Sequence, residues 1–174
     1  FIVNKFNLYQ LSTGDLLRNE IKNKTKLGSE ISTIINSGEL VSDKIVSNLI
    51  EKFISNDNYK NKIIFDGYPR TLIQAMNLDD VLKKYKQKID IVLKLSVSLE
   101  TVKKRILERQ TQENRADDNE EIAIKRYKTY EKSSKSVLDY YKQSNLLKVV
   151  NGETGISEIN AEISGLIDTI KGWL

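Results

Sequence analysis

The sequence predicts an α/β fold in which helices flank a parallel β-sheet. Short apolar segments, each long enough for one strand, alternate with segments of helical length. The strand segments are LYQL, KIIFD, IDIVLKL and LLKVVN, at positions 8–11, 62–66, 89–95 and 146–151. This alternation is typical of a parallel sheet with helices on both faces. At 174 residues, the chain fits one domain with a real core.

The helices between these strands have recognisable beginnings. TLIQ, from Thr71 to Gln74, is a capping box ahead of an amphipathic segment. Three serines are each followed by an acidic residue within the first turn, as N-cap residues often are: Ser42, Ser98 and Ser157. Residues 118–142 predict one long helix, and FIVNKF, at 1–6, resembles the end of an amphipathic helix.

The composition excludes several kinds of site. The chain contains no cysteine and no histidine, which excludes disulfides, thiolate or imidazole zinc sites and Ser-His-Asp chemistry. Any reaction must therefore use carboxylates, hydroxyls, lysine, arginine, backbone amides or a bound hard cation. The absence of cysteine fits a cytoplasmic protein, and no apolar run approaches the roughly 18 to 20 residues that cross a bilayer.

The net charge of +4 allows an anionic partner. The lysines alternate with acids along the whole chain, and no RNA- or DNA-binding motif is visible. We therefore expect a small phosphorylated ligand rather than nucleic acid or a membrane.

The segment IIFDGYPR, at 63–70, predicts a ligand site at the end of a strand. Ligands of parallel α/β folds bind at the carboxyl ends of strands, where Asp66 could hold a magnesium ion through water. Gly67 allows the backbone to approach a ligand, and the chain's single proline, Pro69, stiffens the turn before Arg70. The alternative is a plain strand-to-helix turn with a surface arginine.

The segment STGDLLR, at 12–18, predicts a second such site. A short strand ends in a hydroxyl and a glycine, and Arg18 follows one turn into the next helix. Together these groups could bind a phosphomonoester. Ser12 by itself could simply cap the helix.

Arginine is rare and clustered in this chain. Only six of the 28 basic residues are arginines, and four of the six lie between positions 105 and 126. Arginine binds phosphate oxygens bidentately and stays charged, so these positions suggest contacts that lysine would not make. The alternative is a solvated ion-pair surface around Asp117 and Asp118.

Taken together, STGDLLR, GELVSD, FDGYPRT with Gln74, RILER and RADDNEEIAIKR resemble the adenylate kinases of the nucleoside monophosphate kinase family, in order and spacing, from residue 1 to about 159. The resemblance implies a P-loop fold with a five-stranded parallel sheet. It also implies one core domain over 1–174, a monophosphate-binding insert at about 12–41 and a short lid at about 109–115 without a zinc site.

The implied activity moves the terminal phosphoryl group of Mg·ATP to AMP and gives two ADP, with Mg²⁺ as the only cofactor and a monomer as the expected state. Catalysis of this kind depends on positioning and charge stabilisation, and the implied catalytic residues are Arg70, Arg105, Arg109, Arg115 and Arg126. The implied AMP-binding residues are Thr13, Arg18, Glu39, Leu40, Val41, Gly67, Tyr68, Pro69, Arg70, Gln74, Arg115 and Arg126, with Gln74 recognising the adenine edge. Arg105, Arg109 and Thr154 would bind ATP, Asp66 would hold magnesium through water, and Asp117 and Asp118 would position the arginines and the lid.

The sequence departs from the family in lacking the phosphate loop G-x-x-x-x-G-K-[ST]. In the family this loop and the central strand precede the helix that FIVNKF resembles. We therefore expect the 174 residues to be an incomplete copy of a longer protein and, alone, to be poorly folded and inactive. Two alternatives remain open. One is a UMP/CMP kinase, which usually has alanine where Thr13 stands, and the other is a non-catalytic nucleotide-binding module.

Overall fold

A computed structural model describes residues 1–37, 39–113 and 120–171. The predicted alternation of strands and helices is confirmed in these residues. The strands are β1 (Tyr9–Ser12), β2 (Ile63–Asp66), β3 (Val92–Ser96) and β4 (Leu147–Asn151). The α-helices are α1 (Ile2–Phe6), α2 (Thr13–Lys22), α3 (Lys26–Asn36), α4 (Asp43–Ile54), α5 (Leu72–Lys84), α6 (Leu99–Glu113), α7 (Glu120–Gln143) and α8 (Ile156–Lys171).

The four strands form two parallel pairs. β1 pairs with β2, with Ser12 opposite Asp66, and β3 pairs with β4, with Ser96 opposite Asn151. The α/β class and the parallel strands are therefore confirmed. The described residues give two two-stranded sheets rather than one continuous sheet. The fifth, central strand that the resemblance implies stays a prediction.

A large cleft separates the two pairs. Its volume is about 1490 Å³, and residues of β2, β3, α7 and α8 line it. Among the described residues, β2 and β3 each have one strand neighbour, so the second backbone edge of each has no strand partner there. Leu95 and Val149 are 45% and 58% exposed, although strands in parallel sheets are usually covered on both faces. We call the space lined by β2, β3, α7 and α8 the central cleft.

Most of the predicted helix caps are confirmed. The Thr71 hydroxyl accepts a hydrogen bond from the Gln74 N–H at 3.1 Å, and the Ser98 hydroxyl accepts one from the Thr101 N–H at 3.2 Å. Ser42 is the N-cap residue of α4 but makes no side-chain capping bond. The capping box at Thr71 is only half formed, because Gln74 Oε1 accepts from the Arg70 N–H instead.

The prediction for Ser157 is wrong. α8 begins at Ile156, so Ser157 lies within its first turn. The Glu158 carboxylate accepts a hydrogen bond from the Gly155 N–H at 3.3 Å. A reach-back contact of this kind satisfies an N-terminal N–H without a serine at the cap.

The main core lies beneath β1 and β2. Its buried residues come mainly from α2, α3, α4 and α5, with Leu11 of β1 and two loop residues, and the most buried include Ile31, Ile50, Ile54 and Leu78. A smaller cluster joins α5 to α7 through Ala75, Val137 and Tyr141. None of the described helices combines the length and apolar character needed to cross a bilayer.

Candidate active site

The site begins where β2 ends, at the turn of Asp66 and Gly67. Gly67 has φ +69°, a conformation that side chains other than glycine adopt rarely. Its carbonyl accepts two hydrogen bonds, from Arg70 Nε at 2.7 Å and from Thr13 Oγ1 at 3.2 Å. This carbonyl therefore joins the two motifs FDGYPR and STGDLLR, which the sequence predicted separately.

Three arginines from three elements line the central cleft near this turn. Arg70 follows β2, Arg18 lies on α2 and Arg126 on α7. Desolvation by the surrounding groups lowers the pKa of Arg70 although the residue is solvent-exposed, and the positive charges of Arg126 and, more weakly, Arg18 lower it further, while Asp66 raises it. Arg18 itself forms an ion pair with Asp15. Since mutual repulsion disfavours the charged state of Arg70, a bound polyanion would relieve it.

Gln74 and the segment 39–41 also line this part of the cleft. Gln74 is 2% exposed and Val41 is 5% exposed, yet both contribute to the lining of the cleft. Glu39 forms an ion pair with Lys125 of α7 at 3.2 Å. The 39–41 segment is thus connected to the helix that carries Arg126.

A second group of predicted residues meets at the turn after β4. Arg105 Nη2 donates to the Gly152 carbonyl at 2.7 Å, and Thr154 Oγ1 donates to the Asn151 carbonyl at 3.1 Å. The Glu153 carboxylate accepts hydrogen bonds from the Thr101 hydroxyl and the Ser98 N–H, and these bonds lower its pKa. The turn is therefore tied to the N-terminus of α6.

The structure brings most of the predicted site residues to one cleft. Those that line it are Thr13, Arg18, Glu39, Leu40, Val41, Asp66, Gly67, Tyr68, Pro69, Arg70, Gln74, Arg109 and Arg126. Arg105 and Thr154 are not part of that lining: Thr154 lies in the turn after β4, and Arg105 contacts this turn from α6. Arg115, Asp117 and Asp118 lie outside the described residues.

Sequence reasoning missed two carboxylates. The sequence pattern marks Asp43 only as the acidic residue that follows Ser42, but its Oδ1 accepts hydrogen bonds from Gln74 and Thr71. Glu153 was not singled out at all. Both contacts join residues far apart in sequence, so local patterns such as caps and periodicity give no signal for them.

Asp66 offers the type of ligand that a nucleotide-bound magnesium ion requires. Its side chain is exposed at the cleft, and Oδ2 accepts a hydrogen bond from Gln10 Nε2 at 2.8 Å. The described residues contain no group of three or more carboxylates that could enclose a cation. A magnesium ion that is held largely by phosphates and water needs only one or two carboxylates, so the donor set fits.

Comparison with known proteins identifies relatives over most of the chain. The sequence model of the adenylate kinase family matches residues 1–146. An adenylate kinase of Pelagibacter ubique is 38% identical over 192 residues, covering 95% of this chain and 90% of the relative. The adenylate kinase of Bifidobacterium longum is 39% identical over 158 residues, covering 91% and 85%, and that of Leptospira biflexa is 38% identical over 162 residues, covering 93% and 87%.

Proposed function

Because the chain belongs to the adenylate kinase family, we propose that it is an ATP:AMP phosphotransferase that converts Mg·ATP and AMP into two ADP. The observation that carries this proposal is the meeting of Arg18, Arg70 and Arg126 in one cleft at the carboxyl end of β2. The alternative acceptors UMP and CMP gain no support, since the relatives described above are all adenylate kinases. The cellular role would be to balance the adenine nucleotides.

The arginines supply the chemistry of the step. Phosphoryl transfer between two nucleotides needs aligned phosphates and positive charge more than covalent participation by the protein. Arg70 and Arg126 would contact the transferring group, while Arg18 would bind the phosphate of AMP. Arg109 lines the same cleft and would contact ATP. Arg115 would join them from the segment outside the described residues.

The AMP side of the site is built from the two strand-end motifs. Thr13 is 5% exposed and donates to the Gly67 carbonyl, so a hydrogen bond joins the two strand-end turns that would face the nucleotide. Val41 and its neighbours would cover the nucleoside, and Gln74 would bind the adenine edge. We propose that residues 12–41, which contain α2 and α3, form the monophosphate-binding insert, and that 109–115 form the lid.

The ATP side would use the turn after β4. Arg105 donates to the Gly152 carbonyl, in the same turn as Thr154, and its planar guanidinium would stack on the base of ATP. Asp117 and Asp118 would position the arginines around the lid.

Magnesium would be held through water by Asp66, and when bound it would neutralise phosphate charge during transfer. We also propose that the protein acts as a cytoplasmic monomer on free nucleotides, not on nucleic acid. That part of the proposal rests on the family.

The proposed function is tested by stoichiometry. The complete protein should form two ADP for each AMP consumed when Mg·ATP is present, and should form almost no ADP without AMP. ADP production at an equal rate in the absence of AMP would indicate simple ATP hydrolysis and contradict the proposal.

A further inference from the structure

The side-chain amide of Gln74 lies between two partners of opposite character. Its Oε1 accepts a hydrogen bond from the Arg70 backbone N–H at 2.7 Å, and its Nε2 donates one to Asp43 Oδ1 at 2.8 Å. A backbone N–H only donates and a carboxylate only accepts. Both partners therefore demand the same orientation of the amide, with oxygen toward Arg70 and nitrogen toward Asp43.

This orientation is supported by its surroundings. Gln74 is 2% exposed, so a reversed amide could not replace its lost bonds with water. Asp43 Oδ1 also accepts from the Thr71 hydroxyl at 3.1 Å, and the Thr71 hydroxyl in turn accepts from the Gln74 N–H. The carboxylate is thus fixed on the same cap that begins α5. Turning the amide over would place N–H against N–H and oxygen against carboxylate.

The amide retains capacity for a ligand. A glutamine amide has two N–H groups and two acceptor positions on oxygen, and one of each is used by Asp43 and Arg70. Gln74 lines the central cleft, whereas Asp43 does not. A ligand in the cleft therefore meets a donor and an acceptor whose positions are set by a residue that it does not touch.

We propose that Asp43 is a positioning residue that fixes the polarity of the Gln74 amide and thereby selects a 6-amino purine over a 6-oxo purine. This inference rests on the proposed function, in which Gln74 faces the base of the nucleoside monophosphate. A 6-amino purine offers a donor at its exocyclic nitrogen and an acceptor beside it, which match an amide oxygen and an amide N–H. A 6-oxo purine offers an acceptor at position 6 and would require the reversed amide.

The test compares AMP with IMP. The base of AMP has an amino group at position 6 and an unprotonated N1, whereas the base of IMP has an oxo group at position 6 and a proton on N1. The complete protein is assayed with Mg·ATP and each acceptor, as wild type, Asp43→Ala and Asp43→Asn. In Asp43→Ala, the ratio of kcat/KM for AMP to that for IMP should fall by about tenfold, because the Gln74 amide loses one hydrogen bond to a charged group. The loss should lie mainly in the KM for AMP. Asp43→Asn retains an acceptor oxygen and should stay within about threefold of wild type.

Two controls separate positioning from a structural effect. Asp79 lies on α5, as Gln74 does, and its carboxylate accepts a hydrogen bond from Tyr140 at 2.7 Å. Asp79→Ala should leave the ratio of kcat/KM for AMP to that for IMP unchanged. In a Gln74→Ala background, Asp43→Ala should cause no further change in the ratio, because Asp43 acts through Gln74.

The outcomes distinguish this inference from the proposed function. A folded Asp43→Ala protein that keeps the wild-type ratio would overturn the inference alone, and so would an equal loss with AMP and IMP. A wild-type protein that phosphorylates neither nucleotide would overturn both the inference and the proposed function.

Discussion

At the scale of single residues, the Gly67 carbonyl and the Arg70 guanidinium explain why a chain rich in lysine carries arginine here. Arg70 donates through Nε to the Gly67 carbonyl and also lines the cleft, and the fork of a guanidinium can bind the backbone and a phosphate at the same time. Lysine has one nitrogen and could not make both contacts with the same geometry. Desolvation and the positive charges of Arg126 and Arg18 lower the pKa of Arg70, and an arginine stays charged in such surroundings.

We expect Arg70→Ala to reduce turnover by at least about a hundredfold, as is typical when one charge-stabilising group of the transition state is removed. Arg70→Lys should recover only part of this loss, because it restores charge without the bond to Gly67. Steady-state kinetics with Mg·ATP and AMP would measure both variants. A loss of less than threefold in a folded Arg70→Ala protein would rule out the assigned role.

We also expect Gly67→Ala to impair catalysis. A Cβ at this position would lie 2.8 Å from Arg70 Nη2, and φ +69° disfavours alanine. Displacement of the guanidinium should lower kcat about tenfold or more, in keeping with the sensitivity of transfer reactions to misplaced groups. Gly14→Ala is a milder comparison, since its Cβ would meet Arg18 at 3.0 Å without a positive φ. An unchanged kcat for Gly67→Ala would contradict this account.

At the scale of elements, the packing of α2 on α3 determines the shape of the proposed monophosphate-binding insert. The helices approach each other at Gly28, where a Cβ would lie 2.1 Å from the Glu20 carbonyl oxygen. Backbone cannot yield as a flexible side chain can, so the two helices would have to separate.

Gly28→Ala should therefore destabilise the protein by about 1–3 kcal/mol, the usual cost of overpacking. Gly165→Ala is the matched control, because it lies within α8 and its Cβ would meet no atom within 4 Å. That change should be neutral or stabilising by about 0.5–1 kcal/mol. Urea unfolding would compare the two, and equal stability of both variants would show that the close approach is not maintained in solution.

The contact between α5 and α7 predicts a dependence on pH. Burial raises the pKa of Asp79 despite the hydrogen bond from Tyr140 that lowers it. When the pKa of a carboxyl group is higher in the folded than in the unfolded state, its ionisation destabilises the fold. This destabilisation is fully present above the folded pKa, and it is lost as the pH falls from the folded pKa to the unfolded pKa of about 3.9.

Asp79→Asn keeps an acceptor for Tyr140 and removes the charge, so it should be more stable than wild type at pH 7. The gain should be small because the Asp79 side chain is only partly buried, and it should shrink as the pH approaches 4. Asp168→Asn, on the exposed surface of α8, makes the same chemical change away from this contact and serves as the matched control. Urea midpoints at both pH values would decide the matter, and a gain that grows toward pH 4 would contradict the assigned cause.

At the scale of the whole molecule, local sequence signals predicted the elements, and the comparisons support the family. The four strands were found because apolar β-branched runs are a local signal, and the arginines because their rarity is visible by counting. The central strand between β2 and β3 remains a prediction from the resemblance. In the described residues, β2 and β3 both line the central cleft.

The features that sequence reasoning missed are long-range. Asp43 and Gln74 are 31 residues apart, and Glu153 and Ser98 are 55 apart. No periodicity or cap connects such pairs before the chain folds. Gln74 shows that a local pattern can also predict a contact that does not form. Its position indicates a capping box, but its side-chain amide bonds to the Arg70 N–H and to Asp43 instead.

The most direct test of the account is phosphoryl transfer from Mg·ATP to AMP, UMP, CMP and GMP by the complete protein, followed by ³¹P NMR. The account predicts rapid formation of ADP with AMP, and much slower transfer to the other three nucleotides. Turnover of none of the four by a folded protein would mean that the arginines serve binding alone, and would contradict the central claim.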